Sequence, residues 1–222
     1  MSEKRSINED RWDPEPRWLA WIVVLALAGL YTALPRHLIV GPRWAFMIIV
    51  ILLLIPTIFA HYREYSYINR ILGFTVNGVV TAGMVVSVGL LIQGLPEHRE
   101  QPTELLLSAV ALWVTNVLVF ALWYWKLDAG GPHGRERRTS HVEGAFLFPQ
   151  MTMPQADQSR KHSENWKPNF LDYLFLAFNT STAFSPTDVP VLTRWAKVLM
   201  MLQSLISLTV LALLAARAVN IL

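Results

Sequence analysis

Five stretches of this chain are long, apolar and free of charge in their interiors, and they leave few ways for it to fold. They cover 18–34, 44–60, 71–95, 105–125 and 198–216. A helix needs roughly 20 mostly apolar residues to cross the hydrocarbon core of a bilayer. A charge at the centre of such a span costs about 2.5–3.5 kcal/mol on the insertion scale, so five uncharged interiors predict membrane spans. A buried all-α core is the alternative, but helices of soluble proteins carry a polar face. Composition agrees: 53% of the residues are apolar and only 16% charged, where soluble domains run near ~25% charged. The net charge of +3 is too slight to imply a nucleic-acid partner. With no cysteine, disulfides, thiolate catalysis and Cys-ligated metals are excluded.

Aromatic residues mark the span ends. Trp18, Trp21, Trp44, Trp123, Trp125 and Trp195 sit there, where an amphipathic ring favours the headgroup zone. Trp113 lies mid-span and is expected to pack between helices. Ala26 and Ala28 resemble a signal-peptide cleavage site, but the preceding tail carries five acidic residues where a signal peptide starts positive. The first span is therefore read as retained.

The chain divides into a charged tail (1–17), a three-helix membrane unit (18–95) and a second unit (96–222). In the second unit we expect an outer helix at 105–125, a long loop at 126–168, a half helix at 169–181, a turn at 182–188 and an inner helix at 192–222. Along the third span, Gly78–Ala82 and Gly83–Ser87 have the small-xxx-small spacing that lets helix backbones approach. No span interior holds Asp, Glu, Lys, Arg or His, so a proton-coupled pump and a voltage sensor are not expected. The interior polar residues are neutral: Asn77, Asn116, Gln203, Ser204, Ser207 and Thr209. Interhelical hydrogen bonding is the role expected of most of them. Gln203 and Ser207, four apart, would either line a pore or bond to a neighbouring helix.

The segment 169–181 reads NFLDYLFLAFNTS. As a helix it extends about 20 Å, too short to span. A re-entrant half helix is the natural reading; a helix lying flat in the interface, or the first part of a helical hairpin, is the alternative. Asp172 near its start complements a helix N-terminus. Pro186, Ser185 and Thr187 then break helix. Irregular backbone at membrane depth survives only where protein or a water-filled cavity satisfies it. Half helix, non-helical strip and full span together suggest a pore loop, with the negative end of the helix dipole favouring a cation.

At this point the C-terminal half resembles the pore module of the tetrameric potassium-channel superfamily: outer helix, pore helix, filter and inner helix. The family's filter pattern is T-x-T-T-V-G-Y-G-D. With its aspartate on Asp188, its threonines fall on Thr180 and Thr182. Pro190, Thr193, Trp195 and Lys197 echo a following family pattern, P-V-T-L-W-G-R. The resemblance covers about 105–222 and leaves out the first three spans. It departs at Ala183, Phe184, Ser185, Pro186 and Thr187, where the family has T-V-G-Y-G. The two missing glycines permit the backbone angles that turn every carbonyl inward, so the resemblance implies the architecture without potassium selectivity. The same C-terminal pattern also resembles that of bacterial five-span membrane families with no assigned activity.

The expected fold is thus an all-α membrane protein with five transmembrane helices and one short re-entrant helix before the last span. The expected function is a channel-like or transport-related protein. Its filter-like loop would run through Thr180, Thr182, Ala183, Phe184, Ser185, Pro186, Thr187 and Asp188. Expected partners are the lipid bilayer, further copies of the chain (a tetramer if channel-like) and an inorganic cation. The competing class is a non-transporting membrane scaffold or assembly partner. No cofactor is expected. His133, His141 and His162 share the long loop with Glu143 and Glu164, but without the spacing of a metal site. An intramembrane enzyme would need a buried nucleophile–base pair or a metal, and neither pattern occurs, so no catalytic residue is assigned.

Charge also predicts orientation. The N-terminal side holds Lys4, Arg5, Arg11, Arg17, Arg63, Arg70, the long loop, Arg194 and Lys197. Only Arg36, Arg43, Arg99 and Arg217 of the 19 basic residues fall opposite. The positive-inside rule then places the N-terminus and loop 126–168 in the cytoplasm of an inner-membrane protein. A potassium-channel pore loop dips from outside, so this orientation implies an inverted pore loop, no pore, or an exception to the rule.

Overall fold

In a computed structural model the described residues are 17–63, 66–94, 102–136, 144–152, 166–182 and 189–219. They form an all-helical bundle. The helices are α1 (Trp18–Ala33), α2 (Arg43–Tyr62), α3 (Ser66–Gly94), α4 (Pro102–Leu127), α5 (Gly131–Glu136), α6 (Phe170–Thr182) and α7 (Arg194–Val219). Short 3₁₀ turns follow α1, α4 and the long loop's Phe148. Four helices, α2, α3, α4 and α7, are long and apolar enough to cross a membrane, while α1 is a shorter apolar helix of 16 residues. Each of the five expected spans is thus a helix. The third starts earlier than expected, at Ser66, because hydropathy does not register a polar first turn.

α4 is the axis of the bundle, packing against α1 and α3 on one side and α6 and α7 on the other. The first three helices close on one another at α3. A Cβ at Gly83 would come within 2.8 Å of the Phe46 ring, so only glycine admits this approach of α2. Tyr31 stacks on Phe46 at 4.0 Å between ring centroids. Four residues on, Ser87 donates to the Leu38 carbonyl at 2.8 Å. The Gly83–Ser87 pair therefore does sit at a close contact. Gly78 does not, since nothing lies within 4 Å of where its Cβ would be.

Most hydroxyls on the spans bond back to the carbonyl one turn earlier in their own helix, as Thr57, Thr75, Thr115 and Thr209 do. On an apolar helix this satisfies the group without a partner helix.

Candidate functional site

The loop after α4 is fastened by a buried carboxylate. Asp128 follows α4 directly, and its oxygens accept from the Ala145 amide at 2.5 Å and the Tyr173 hydroxyl at 2.6 Å. Arg135 Nη1 donates to the carbonyls of Trp125 and Asp128, at 2.8 and 3.1 Å, and its guanidinium lies 5.0 Å from the Tyr173 ring. Lys167 donates to the Arg135 carbonyl. A buried charge is tolerated where hydrogen bonds replace its lost hydration. The result fixes the end of α4, residues 145–147 and the start of α6 together. Phe146 and Phe148 pack edge-on to Tyr173, and Phe146 also to Tyr124 and Trp195.

α6 begins at this end of the bundle. Asn169 Oδ1 accepts from the Leu171 amide at 2.8 Å, and Asp172 Oδ2 accepts from the Asn169 amide at 2.7 Å. This reciprocal cap satisfies two otherwise orphaned N–H groups and puts a carboxylate at the positive end of the helix dipole. Phe170, Tyr173, Leu176, Ala177, Thr180 and Ser181 form the buried face, and Leu171, Phe175 and Phe178 the exposed one.

Ring contacts and hydrogen bonds give its depth. Phe170 meets Trp125 near the end of α4, at 5.8 Å between centroids. Phe178, two turns on, meets Trp113, and Asn116 Nδ2 lies 3.5 Å from Ser181 Oγ. Trp113 and Asn116 are near the middle of the 26-residue α4. Against α7 the last turn of α6 meets Gln203 and Ser207, again near the middle of a 26-residue helix. α6 therefore starts at one end of the bundle and stops about halfway along its neighbours.

A helix that stops there leaves carbonyls without intrahelical partners. α7 supplies them. Gln203 Nε2 donates to the Ala177 carbonyl at 2.6 Å and to Ser181 Oγ at 2.7 Å. Ser204 donates to the Thr180 carbonyl at 3.3 Å, and Ser207 to the Ser181 carbonyl at 2.5 Å. Tyr124 donates to Gln203 Oε1, Trp113 Nε1 to Ser207 Oγ, and Asn116 Nδ2 to the Gln203 carbonyl. The positions 203, 204 and 207 share one face of α7, so one helix face clasps the end of another.

After residues 183–188 the described chain resumes at Val189, back beside the Asp128 knot. Leu147 donates to the Pro190 carbonyl at 2.9 Å and Leu192 to the Ala145 carbonyl at 2.8 Å, making an isolated antiparallel bridge between Phe146 and Val191. Thr182 and Val189 thus stand at different heights, and α7 starts from the same end as α6.

Of the expected site residues, Thr180 is buried and bonds back to Leu176, and Thr182 bonds back to Phe178 and Asn179. Ala183, Phe184, Ser185, Pro186, Thr187 and Asp188 lie outside the described residues. Gln203 and Ser207 are 0% and 1% exposed, and both are engaged within the one chain. Of the other neutral residues, Asn116 and Ser204 join helices, Thr209 bonds within its own, and Asn77 is buried without a hydrogen-bond partner among the described residues. His133 contacts Arg17 and Asn69, whereas His141, His162, Glu143 and Glu164 lie outside the described residues. No group of three metal-binding side chains occurs among the described residues.

These elements define a helical bundle with a half-length helix held between α4 and α7. Compared with known proteins, the chain matches no family model, no curated protein and no solved structure.

Proposed function

We propose that the chain is an integral membrane protein with five spans and one re-entrant helix, α6, and that its second half is a channel-like or transport-related module with its path at a subunit interface. The single observation that carries this reading is the height at which α6 ends. Its last carbonyls stop midway along α4 and α7, and the chain resumes at the end from which α6 entered. In hydrocarbon such an ending costs several kcal/mol per unsatisfied group. The amide and hydroxyls of Gln203, Ser204 and Ser207 remove that cost. In this arrangement α4 is the outer helix, α7 the inner helix, and 183–188 the strip at the tip of α6. The negative end of α6 favours a cation at that strip.

Arg17, Arg70, Lys126 and His133 gather at the end from which α6 enters, and Lys167 bonds Arg135 beside them. By the positive-inside rule that end faces the cytoplasm of the inner membrane, and the strip would be reached from inside.

A second reading, a scaffold or assembly partner, is favoured by one observation. Gln203 and Ser207 are used up within one chain, so a path would have to be lined by the strip and by copies of the chain around it. The two readings part on oligomeric state and flux. The channel reading predicts a homo-oligomer in mild detergent and cation flux into liposomes that changes with Phe184→Ala or Asp188→Asn. A strict monomer, or flux indifferent to both substitutions, would favour the scaffold.

A further inference from the structure

A cavity of about 480 Å³ lies where the start of α1, the end of α2, the start of α3, the end of α4 and α5 meet. That volume falls in the ~300–1,000 Å³ range of small-molecule sites. Two of the basic groups around it are engaged within the chain. Arg17 holds the His133 ring through both terminal nitrogens, at 2.8 and 3.0 Å. Arg70 is exposed, with its guanidinium 5.8 Å from the Phe74 ring. The cavity therefore does not call for an anion. Its walls are mostly apolar: Trp21, Phe74 and Trp125 supply rings, and Val24, Leu54 and Leu122 aliphatic surface.

On the side of α3 and α4, two polar groups have hydrogen-bonding capacity to spare. Half-buried Lys126 crosses to α3 and donates to the Gly73 carbonyl, and a Cβ on Gly73 would lie 3.2 Å from its Nζ. An ammonium has three N–H groups and an amine two, so in either form at least one is left after Gly73 is served. Lys126 lines the cavity, so an acceptor brought by a ligand can take that N–H. One turn farther along α3, on the face of Gly73, comes Asn77. It is 0% exposed, and neither end of its carboxamide has a hydrogen-bond partner among the described residues. Its chain neighbour Val76 is part of the cavity wall, and Asn77 stands beside that wall. Leaving a buried amide unpaired is costly, and a ligand that pairs it recovers the cost.

We infer that this cavity binds a neutral carbonyl-bearing ring with an apolar tail, a membrane quinone. Lys126 donates to one carbonyl oxygen, and the Asn77 carboxamide turns through the wall to donate to the other. The ring lies among Trp21, Phe74 and Trp125, where flat surfaces stack, and the tail follows Val24, Leu54 and Leu122. Carbonyl acceptors also occur in the acyl esters of lipids. The aromatic walls favour the ring, since an acyl ester has nothing flat to place there. This site does not depend on the pore reading.

The test uses the full chain in an uncharged detergent and follows thermal unfolding as a short-tailed 2,3-disubstituted naphthoquinone, the naphthalene with the same substituents, or a monoacylglycerol is added. The quinone should raise the unfolding temperature saturably, with an apparent affinity about tenfold above that of the naphthalene, the effect of two neutral hydrogen bonds. Lys126→Met should cut this preference about threefold. Asn77→Leu should do the same and yet raise the unfolding temperature of the ligand-free protein, because it deletes an unpartnered buried amide; a purely structural Asn77 would not move both readouts this way. Equal binding of quinone and naphthalene by the unaltered chain would overturn the site, and so would a full preference retained by Lys126→Met or by Asn77→Leu. Should a variant fail to fold, the pair of ligands on the unaltered chain decides alone. A monoacylglycerol that binds as tightly as the quinone and competes with it would overturn the quinone as occupant.

Discussion

At the inner end of α6, between α4 and α7, the polar side chains are neutral and close on helix carbonyls and on one another. In the cavity between α1, α3 and α4 the basic side chains Arg17, Arg70 and Lys126 border open space. The first arrangement is what a bundle interior demands, because polar groups there must find partners inside the protein. The second sets basic side chains beside an apolar wall of Val24, Leu54, Val76 and Leu122. The difference is between groups closed on one another and groups that border open space. It also orders the effects expected of mutation.

The largest effect should come from the knot that anchors the clasp. Asp128→Ala orphans the Tyr173 hydroxyl and the Ala145 amide, and should cost about 3–5 kcal/mol, given ~1.5–3 kcal/mol for each hydrogen bond to a charged group. Thermal unfolding in detergent, or the yield of monodisperse protein, would register it. Next comes Gln203→Leu, which strips partners from Tyr124, Ser181 and the Ala177 carbonyl. We expect a loss of about 1–3 kcal/mol, read from a denaturing-detergent titration. Gly83→Ala should fall in the same range by forcing a methyl against Phe46, while Gly78→Ala, with open space, should be neutral or slightly stabilising. Ser204→Ala removes one long hydrogen bond and should cost about 0.6 kcal/mol, the mean for such bonds in a membrane bundle. Arg70→Gln should be smallest, within about 0.5 kcal/mol in lipid-free detergent. Should Arg70→Gln destabilise the lipid-free protein as much as Gln203→Leu, the contrast between the two regions would fail.

Much of this was legible in the sequence. The uncharged runs located α1, α2, α3, α4 and α7 to within about five residues at each end. The segment 169–181 appears as Phe170–Thr182, with Asp172 capping as its position implied. Two features were not legible. The residues after α4 read as a polar loop, rich in glycine, and nothing local marks Asp128 and Arg135 as buried. Their partners at 145 and 173 are distant in sequence and meet them only when α6 folds back on α4. The basic cavity was equally hidden. Arg17, Arg70 and Lys126 each flank a different span, and read one at a time they register as topology charges. Only the packing of α1, α3 and α4 brings them to one wall. For Gln203 and Ser207 the spacing left pore lining and interhelical bonding open, because a helix face does not reveal what stands opposite it.

The central claim is that α6 enters the bilayer, stops midway and sends the chain back to the side it came from. The chain has no cysteine, so single cysteines carrying spin labels report position without background. Labels at Leu171, Phe175 and Phe178 lie on the exposed face of α6, and Pro190 marks the return. In liposomes, accessibility to oxygen against a water-soluble relaxant should deepen from 171 to 178 and be shallow again at 190, on the same side as 171. Depth that carries position 190 through to the opposite side, or all four labels in water, would contradict it.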